Sequence, residues 1–195
     1  MRNEYSISEF LKNGYSFILT KIFYNNARLI RRPFYIRGKS SLTMKNKLTT
    51  GYNCRLDLIG GGQKTLFIGE NCEIGDYVHI VAREKVVIGD NCLFASKIFI
   101  SDTNHGSYND KFGHSSPLTT PNSRELLTDP VYIDDHVWVG ENVCILPGVR
   151  IGKGSIIGAN SVVNSSIPEY SIAVGSPAKV IKHYDFNEEK WLRSK

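Results

Sequence analysis

The chain has 195 residues, of which 41% are hydrophobic and 22% charged, and its formal net charge is +5. This is an ordinary globular balance, enough for one domain with a small appendage. No run approaches the roughly 18 apolar residues that cross a bilayer. The opening MRNEYSISEFLKNG lacks the apolar core and cleavage site of a secretory leader, so a cytoplasmic location is expected. The four cysteines, Cys54, Cys72, Cys92 and Cys144, match no zinc spacing and contain no CxxC. Cys72 and Cys92 read as small core residues in a reducing compartment.

Residues 1–35 open with EFLKNGYSFILTKIFYN, a helical segment with an apolar face, interrupted at Gly14. A strand-like ARLIRRPFYIRG follows. Positive charge gathers here at Arg28, Arg31, Arg32, Arg37, Lys39, Lys45 and Lys47. Such a patch favours anionic partners, but no nucleic-acid-binding motif accompanies it. The segment is expected to cap a repeat structure. Its Phe and Tyr residues beside Arg and Lys also suit contact with the inner face of a membrane.

Residues 36–67 are irregular, although Ile36, Leu42 and Leu48 keep a spacing of six. TTGYNCRLD resembles a degenerate coil, and GGGQKT reads as a turn inserted at a corner. From Ile68 the period is plain: IGENCE, IGDYVH, IVAREK, a two-residue slip at Val86-Val87, then IGDNCL, FASKIF and ISDTNH. After a break it resumes as IDDHVW, VGENVC, ILPGVR, IGKGSI, IGANSV and VNSSIP. A period of six excludes an amphipathic helix. It fits short strands separated by two-residue turns, three to a triangular coil, stacked as parallel strands. Position one points inward and position five fills the next corner. Gly at position two allows close backbone approach and unusual φ/ψ. Ile133 then stacks on Ile151, Val139 on Ile157, and Ile145 on Val163.

Residues 106–130 carry no repeat and are rich in Gly, Ser, Pro and Asn. Loops of this length in a compact domain are usually functional or disordered. His105 ends the hexad before the insertion, so it belongs at a corner or pointing outward. Residues 183–195 leave the repeat as an extended segment and a short closing helix from about Asn187.

The pattern [I/V]-G-x-x-[V/C/S]-x over residues 36–182 resembles the hexapeptide-repeat acyltransferases. The resemblance implies an all-β fold, a left-handed parallel β-helix. Within that family SDTNHGSY, PV.I....VW.G, ILPGV.IG...IIGA.SVV and GSPAKVI are similar, in this order, to the maltose, galactoside and xenobiotic acetyltransferase branch. That likeness makes His105 the general base and the backbone amide of Glu141 the oxyanion donor. Asp102 and Asn104 could orient the histidine or the acceptor, although both are equally good turn residues. His79, at the end of its hexad, and His114, in the insertion, are candidate acceptor contacts. His136 and His183 read as structural or solvated.

The resemblance also implies acetyl-CoA as donor, with no metal. The donor would lie in a groove between subunits of a homotrimer, against Trp138, Gly140, Glu141, Gly158, Ala159, Asn164 and Ser165. Many relatives carry Thr-Lys where this chain has Asn164-Ser165, which leaves Lys179 and Lys182 as the candidates for the phosphates. The basic N-terminal portion is similar to O-acetyltransferases of bacterial surface polysaccharides (colanic acid, capsule or O-antigen), so the expected acceptor is a sugar hydroxyl, with a saccharide or nucleotide-sugar partner. The alternatives are an N-acetyltransferase acting on an amino-sugar nucleotide and a non-catalytic β-helix scaffold. A zinc carbonic anhydrase on the same β-helix needs three metal-binding histidines, and none lies five residues from His105. A serine acetyltransferase would carry a long helical N-terminal domain.

Overall fold

The computed structural model describes residues 6–109 and 113–194. Residues 1–5 of the expected cap, 110–112 of the insertion and the last residue lie outside the described residues.

The repeat forms a three-faced parallel β-solenoid. The first face stacks Leu29–Ile30, Thr49–Thr50, Glu73–Ile74, Leu93–Phe94, Trp138–Val139, Ile156–Ile157 and Ser171–Val174. The second stacks Phe34–Arg37, Cys54–Leu58, His79–Ala82, Phe99–Ser101, Cys144–Ile145 and Val162–Val163. The third stacks Leu42–Met44, Leu66–Ile68, Val86–Ile88, Val131–Ile133 and Arg150–Ile151. The expected pairs hold: Ile133 with Ile151, Val139 with Ile157, and Ile145 with Val163. These six residues, with Ile80 and Ile100, belong to one continuous buried core.

Small residues at position five carry hydroxyls and thiols to the corners. Buried Cys72 and Cys92 donate to the carbonyls of Gly89 and Asp134, each at 3.1 Å. Ser155 and Ser161, both fully buried, donate to Pro168 and Gly158.

The role assigned to the position-two glycines needs a correction. A Cβ on Gly69 would stand 2.4 Å from the backbone of Gly89, and one on Gly140 would stand 2.7 Å from the Ala159 nitrogen. Close approach of the next coil therefore excludes a side chain, and φ is not involved. The left-handed backbone lies at position four, at Asn71, Tyr77, Asn91, His136, Asn142 and Asn160. Asn is enriched there because its short polar side chain tolerates that conformation.

Three boundaries also differ from expectation. The solenoid begins at Leu29, since Leu29–Ile30 already pairs with Thr49–Thr50. Helix α1, Ile7–Phe23, runs unbroken through Gly14, where nothing lies within reach of an added Cβ. It starts at a capping box in which Ser6 and Glu9 bond reciprocally. The closing helix expected from Asn187 is a strand. Lys179–Asp185 and Lys190–Arg193 form an antiparallel hairpin that extends the first face, and Tyr184, Phe186 and Trp191 pack edge to face at its turn. Aromatic cross-strand packing outweighs the helix propensity of a short segment here.

Val139 is fully buried in the aliphatic column. Val139→Asp would put an unpaired carboxylate there, a cost the fold cannot absorb. The expected outcome is loss of soluble, cooperatively unfolding protein; a normal folded assembly on size exclusion would refute this register.

Candidate active site

The insertion leaves the second face after Phe99–Ser101 and rejoins the solenoid at Val131–Ile133 on the third. It departs earlier than residue 106. Thr103–His105 pairs antiparallel with Leu126–Thr128 as a stem, with His105 opposite Leu126. The Asp129 N–H closes the stem on the Asp102 carbonyl at 2.9 Å.

Asp102 does not orient the histidine. It is fully buried, and its carboxylate accepts from the N–H groups of Arg83, Glu84 and Lys85 at 2.8–3.0 Å. Thr103 Oγ1 adds a fourth donor at 2.7 Å. The carboxylate thus binds the turn at residues 83–85, just before the Val86-Val87 slip, to the base of the insertion. Asn104 is exposed on the stem and borders a small cleft with Tyr108, Leu127, Asp129 and Pro147.

His105 is exposed, and its imidazole has no hydrogen-bond partner among the described residues. Its backbone is held, because Tyr108 donates its hydroxyl to the His105 carbonyl at 2.6 Å. Arg124 donates to the Tyr108 oxygen at 2.7 Å and to the Thr119 carbonyl at 2.9 Å. Tyr108 and Arg124 therefore brace the stem, a role that sequence reading misses because no periodicity marks loop residues. Gly106, with φ of +95°, sits where a Cβ would meet Ser115 Oγ at 2.6 Å. His114 lies in a two-residue strand paired with Tyr108–Asn109.

Glu141 stands at the corner between the first and second faces, after Trp138–Val139 and before Cys144–Ile145. In the first two coils of this corner column a side chain one coil on caps the outward amide, whereas the Ser96 N–H, like that of Glu141, has no acceptor among the described residues. Asp76 Oδ1 accepts from Tyr52 N–H at 2.7 Å, and Ser96 Oγ from Asp76 N–H at 3.1 Å. The residue one coil on from Glu141 is Ala159, which has no acceptor. The Glu141 N–H is free among the described residues, while its side chain pairs with Lys97 at 3.4 Å. Gly158 leaves room against Val174 Cγ1, which an added Cβ would meet at 2.7 Å. Trp138 is half-exposed in register with Leu93 and Ile156. Lys179 and Lys182 follow on the terminal hairpin.

Asn164 and Ser165 lie at the other corner, between the second and third faces, with the insertion. The expected site therefore divides. His105, Asn104, Asn164 and Ser165 occupy one edge of the second face. Gly140, Glu141, Gly158 and Ala159 occupy the other, with Trp138 next to them on the first face. A face side of four to five extended residues is roughly 15 Å wide, so one chain does not bring base and amide together.

His79 lies between them on the second face. Its Nε2 is 3.0 Å from Asp57 Oδ2, and its ring tilts against Phe99 at 5.4 Å. Burial alone would raise the Asp57 carboxyl. Hydrogen bonds from His79 and Arg55 and the charges of Arg55 and Arg37 outweigh burial and hold it below the usual carboxylate value. His183 bonds to Ser171 at 3.0 Å, and His136 sits in an exposed turn; both fit the structural or solvated reading.

The family described as bacterial transferase hexapeptide (six repeats) matches residues 130–165. Over its whole length the chain is 43% identical to a protein of Escherichia coli (strain K12) named "Putative lipopolysaccharide biosynthesis O-acetyl transferase WbbJ", covering 98% of it. A galactoside acetyltransferase in complex with coenzyme A superposes with a TM-score of 0.54 at 30% identity, over 72% of this chain and 66% of that one. AntD, an N-acyltransferase from Bacillus cereus, shares the fold with a TM-score of 0.70 at 23% identity, over 94% and 92% of the two chains.

Asp102→Ala would strand three backbone donors at the root of the insertion. A loss of about 2–3 kcal/mol in chemical denaturation is expected; an unchanged midpoint would show the anchor to be dispensable. Arg124→Ala should leave stability nearly unchanged and lower turnover, because the loosened stem misplaces His105. Equal turnover at equal stability would remove the brace from the site.

Proposed function

Because the chain belongs to the bacterial hexapeptide-repeat transferases, a membership that full-length identity to WbbJ establishes, we propose that it transfers an acetyl group from acetyl-CoA to a sugar hydroxyl in the synthesis of a bacterial surface polysaccharide. The observation that carries this reading is the imidazole of His105, free among the described residues, on a braced stem beside the one long insertion of a repeat otherwise kept in register.

His105 takes the proton of the acceptor hydroxyl as its oxygen attacks the thioester carbonyl carbon, a contribution typically worth about 10²–10⁴ in rate. The Glu141 N–H donates to the oxyanion that forms. When the carbon–sulfur bond breaks, the imidazolium returns the proton to the departing thiolate. Trp138 and the shallow surface at Gly158 and Ala159 receive the pantetheine arm, and Lys179 and Lys182 meet the phosphates. Tyr108 and Asn104 line the acceptor side.

The separation of His105 from Glu141 across the second face supports a site in which one subunit supplies the base and its neighbour the amide. A closed homotrimer, with a groove at each of three subunit boundaries, provides such a site. The half-exposed Trp138 and Leu93 on the first face fit partial cover by the groove's other wall.

Thermal unfolding with acetyl-CoA, and with ATP as an anionic control, tests the donor site. Ligand at about 100-fold its dissociation constant adds roughly 2.7 kcal/mol per site, so the midpoint should rise by several degrees with acetyl-CoA alone. An equal shift with ATP, or none, would overturn the donor assignment. His105→Ala should keep the wild-type unfolding midpoint and lose at least about 10² in turnover across hydroxyl-bearing sugar acceptors. Near-normal turnover would remove His105 as the base, and preferential acetylation of amino sugars would redirect the acceptor to nitrogen.

A further inference from the structure

The outward face of α1 has no part in the chemistry above. Its inward side is committed to the open edge of the first coil. Thr20 Oγ1 accepts from Ile30 N–H at 2.9 Å, and Ser16 Oγ accepts from Arg32 N–H at 3.2 Å. Both residues are buried, and Asn13 adds bonds to Arg31 and Tyr52. The helix thus turns its polar side to the protein, the reverse of an ordinary packed helix. On the other side Ile7, Phe10, Leu11, Phe17, Ile18 and Ile22 are 50–83% exposed. At 3.6 residues per turn they fill an arc of roughly 140°.

The same end of the molecule carries the positive charge. Residues 1–47 contain ten Lys or Arg and two Glu; Arg28, Arg37, Lys45 and Lys47 pair with Glu73, Asp57, Asp90 and Glu70 of later coils, which leaves Lys12, Lys21, Arg31, Arg32 and Lys39, among the described residues, without an acidic partner. A second copy seated on this arc would bring two such ends together. An anionic surface meets both the apolar arc and its basic surround. α1 has only 17 residues, with Glu9, Lys12 and Lys21 among them, and no described helix is long and apolar enough to cross a membrane. It has the character of a helix that lies in the interface plane.

We infer that α1 is an in-plane anchor for an anionic lipid bilayer: its apolar arc enters the acyl boundary, and the surrounding Arg and Lys meet the headgroups. The hydroxyls of Ser16 and Thr20 fix the helix to the solenoid, so docking orients the whole molecule on the surface.

Co-sedimentation of the full chain with vesicles of phosphatidylglycerol and phosphatidylethanolamine tests this, with phosphatidylcholine vesicles as control. Binding is expected to the anionic vesicles and to weaken with salt. The double variant Leu11→Glu, Ile18→Glu, both on the exposed arc, should bind at least about tenfold more weakly. Its unfolding midpoint, its assembly mass by light scattering and its turnover on a soluble acceptor should match the wild type. If that variant does not fold, Leu11→Ser gives the same readout with a smaller loss. Failure of the wild type to bind anionic vesicles would overturn the inference. So would a variant that binds normally and changes assembly mass, which would make the arc a contact between copies. Vesicle binding is read without turnover, so its failure leaves the acyl-transfer reading untouched.

Discussion

Everything in this molecule follows from backbone pairing between successive coils. Each short strand bonds to the strands one coil before and one coil after, so the chain must return to the same place at a fixed interval. Registers such as His79–Phe99–Cys144–Val162 run straight up a face. The constraint sets the chemistry of each position: a buried aliphatic at one, a bare Cα at two where the next coil approaches, a left-handed residue at four, and a small side chain at five. None of these depends on function, and together they produce a rigid column on which a loop can be mounted.

The constraint fails at the first coil, which has no coil before it. Its edge donors at Ile30 and Arg32 need acceptors, and an apolar helix face has none to offer. The hydroxyls of Ser16 and Thr20 supply them four residues apart, one helical turn against two residues of strand. That solution points the apolar residues of α1 away from the protein. The opposite end uses a different remedy, an antiparallel hairpin that lengthens the first face.

The insertion is tolerated because it leaves from a corner and is secured there by one buried carboxylate. Asp102 gathers three amides from the neighbouring coil, and the stem above it presents His105 with a fixed backbone and an uncommitted ring. The other half of the proposed chemistry, the uncapped Glu141 amide, stands a full face away. A prism of this cross-section separates its corners, which is why the proposed chemistry draws its base and its amide from two subunits.

The period of six by itself determined the strands, the inward column, the stacking partners and the place of the break, because stacking demands the same residue class at the same position in every coil. The corner location of His105 was legible for the same reason. The tertiary structure decided the rest. Asp102 looked like a partner for His105 because the two are three residues apart in sequence, yet its carboxylate is taken by the amides of Arg83, Glu84 and Lys85, brought there by the previous coil. The Tyr108–Arg124 brace spans 16 residues of aperiodic loop. The terminal segment from Asn187 became a strand because a sheet edge was waiting for it. The direction in which α1 faces depended on which unpaired donors lay beneath it, and those exist only after the first coil has formed.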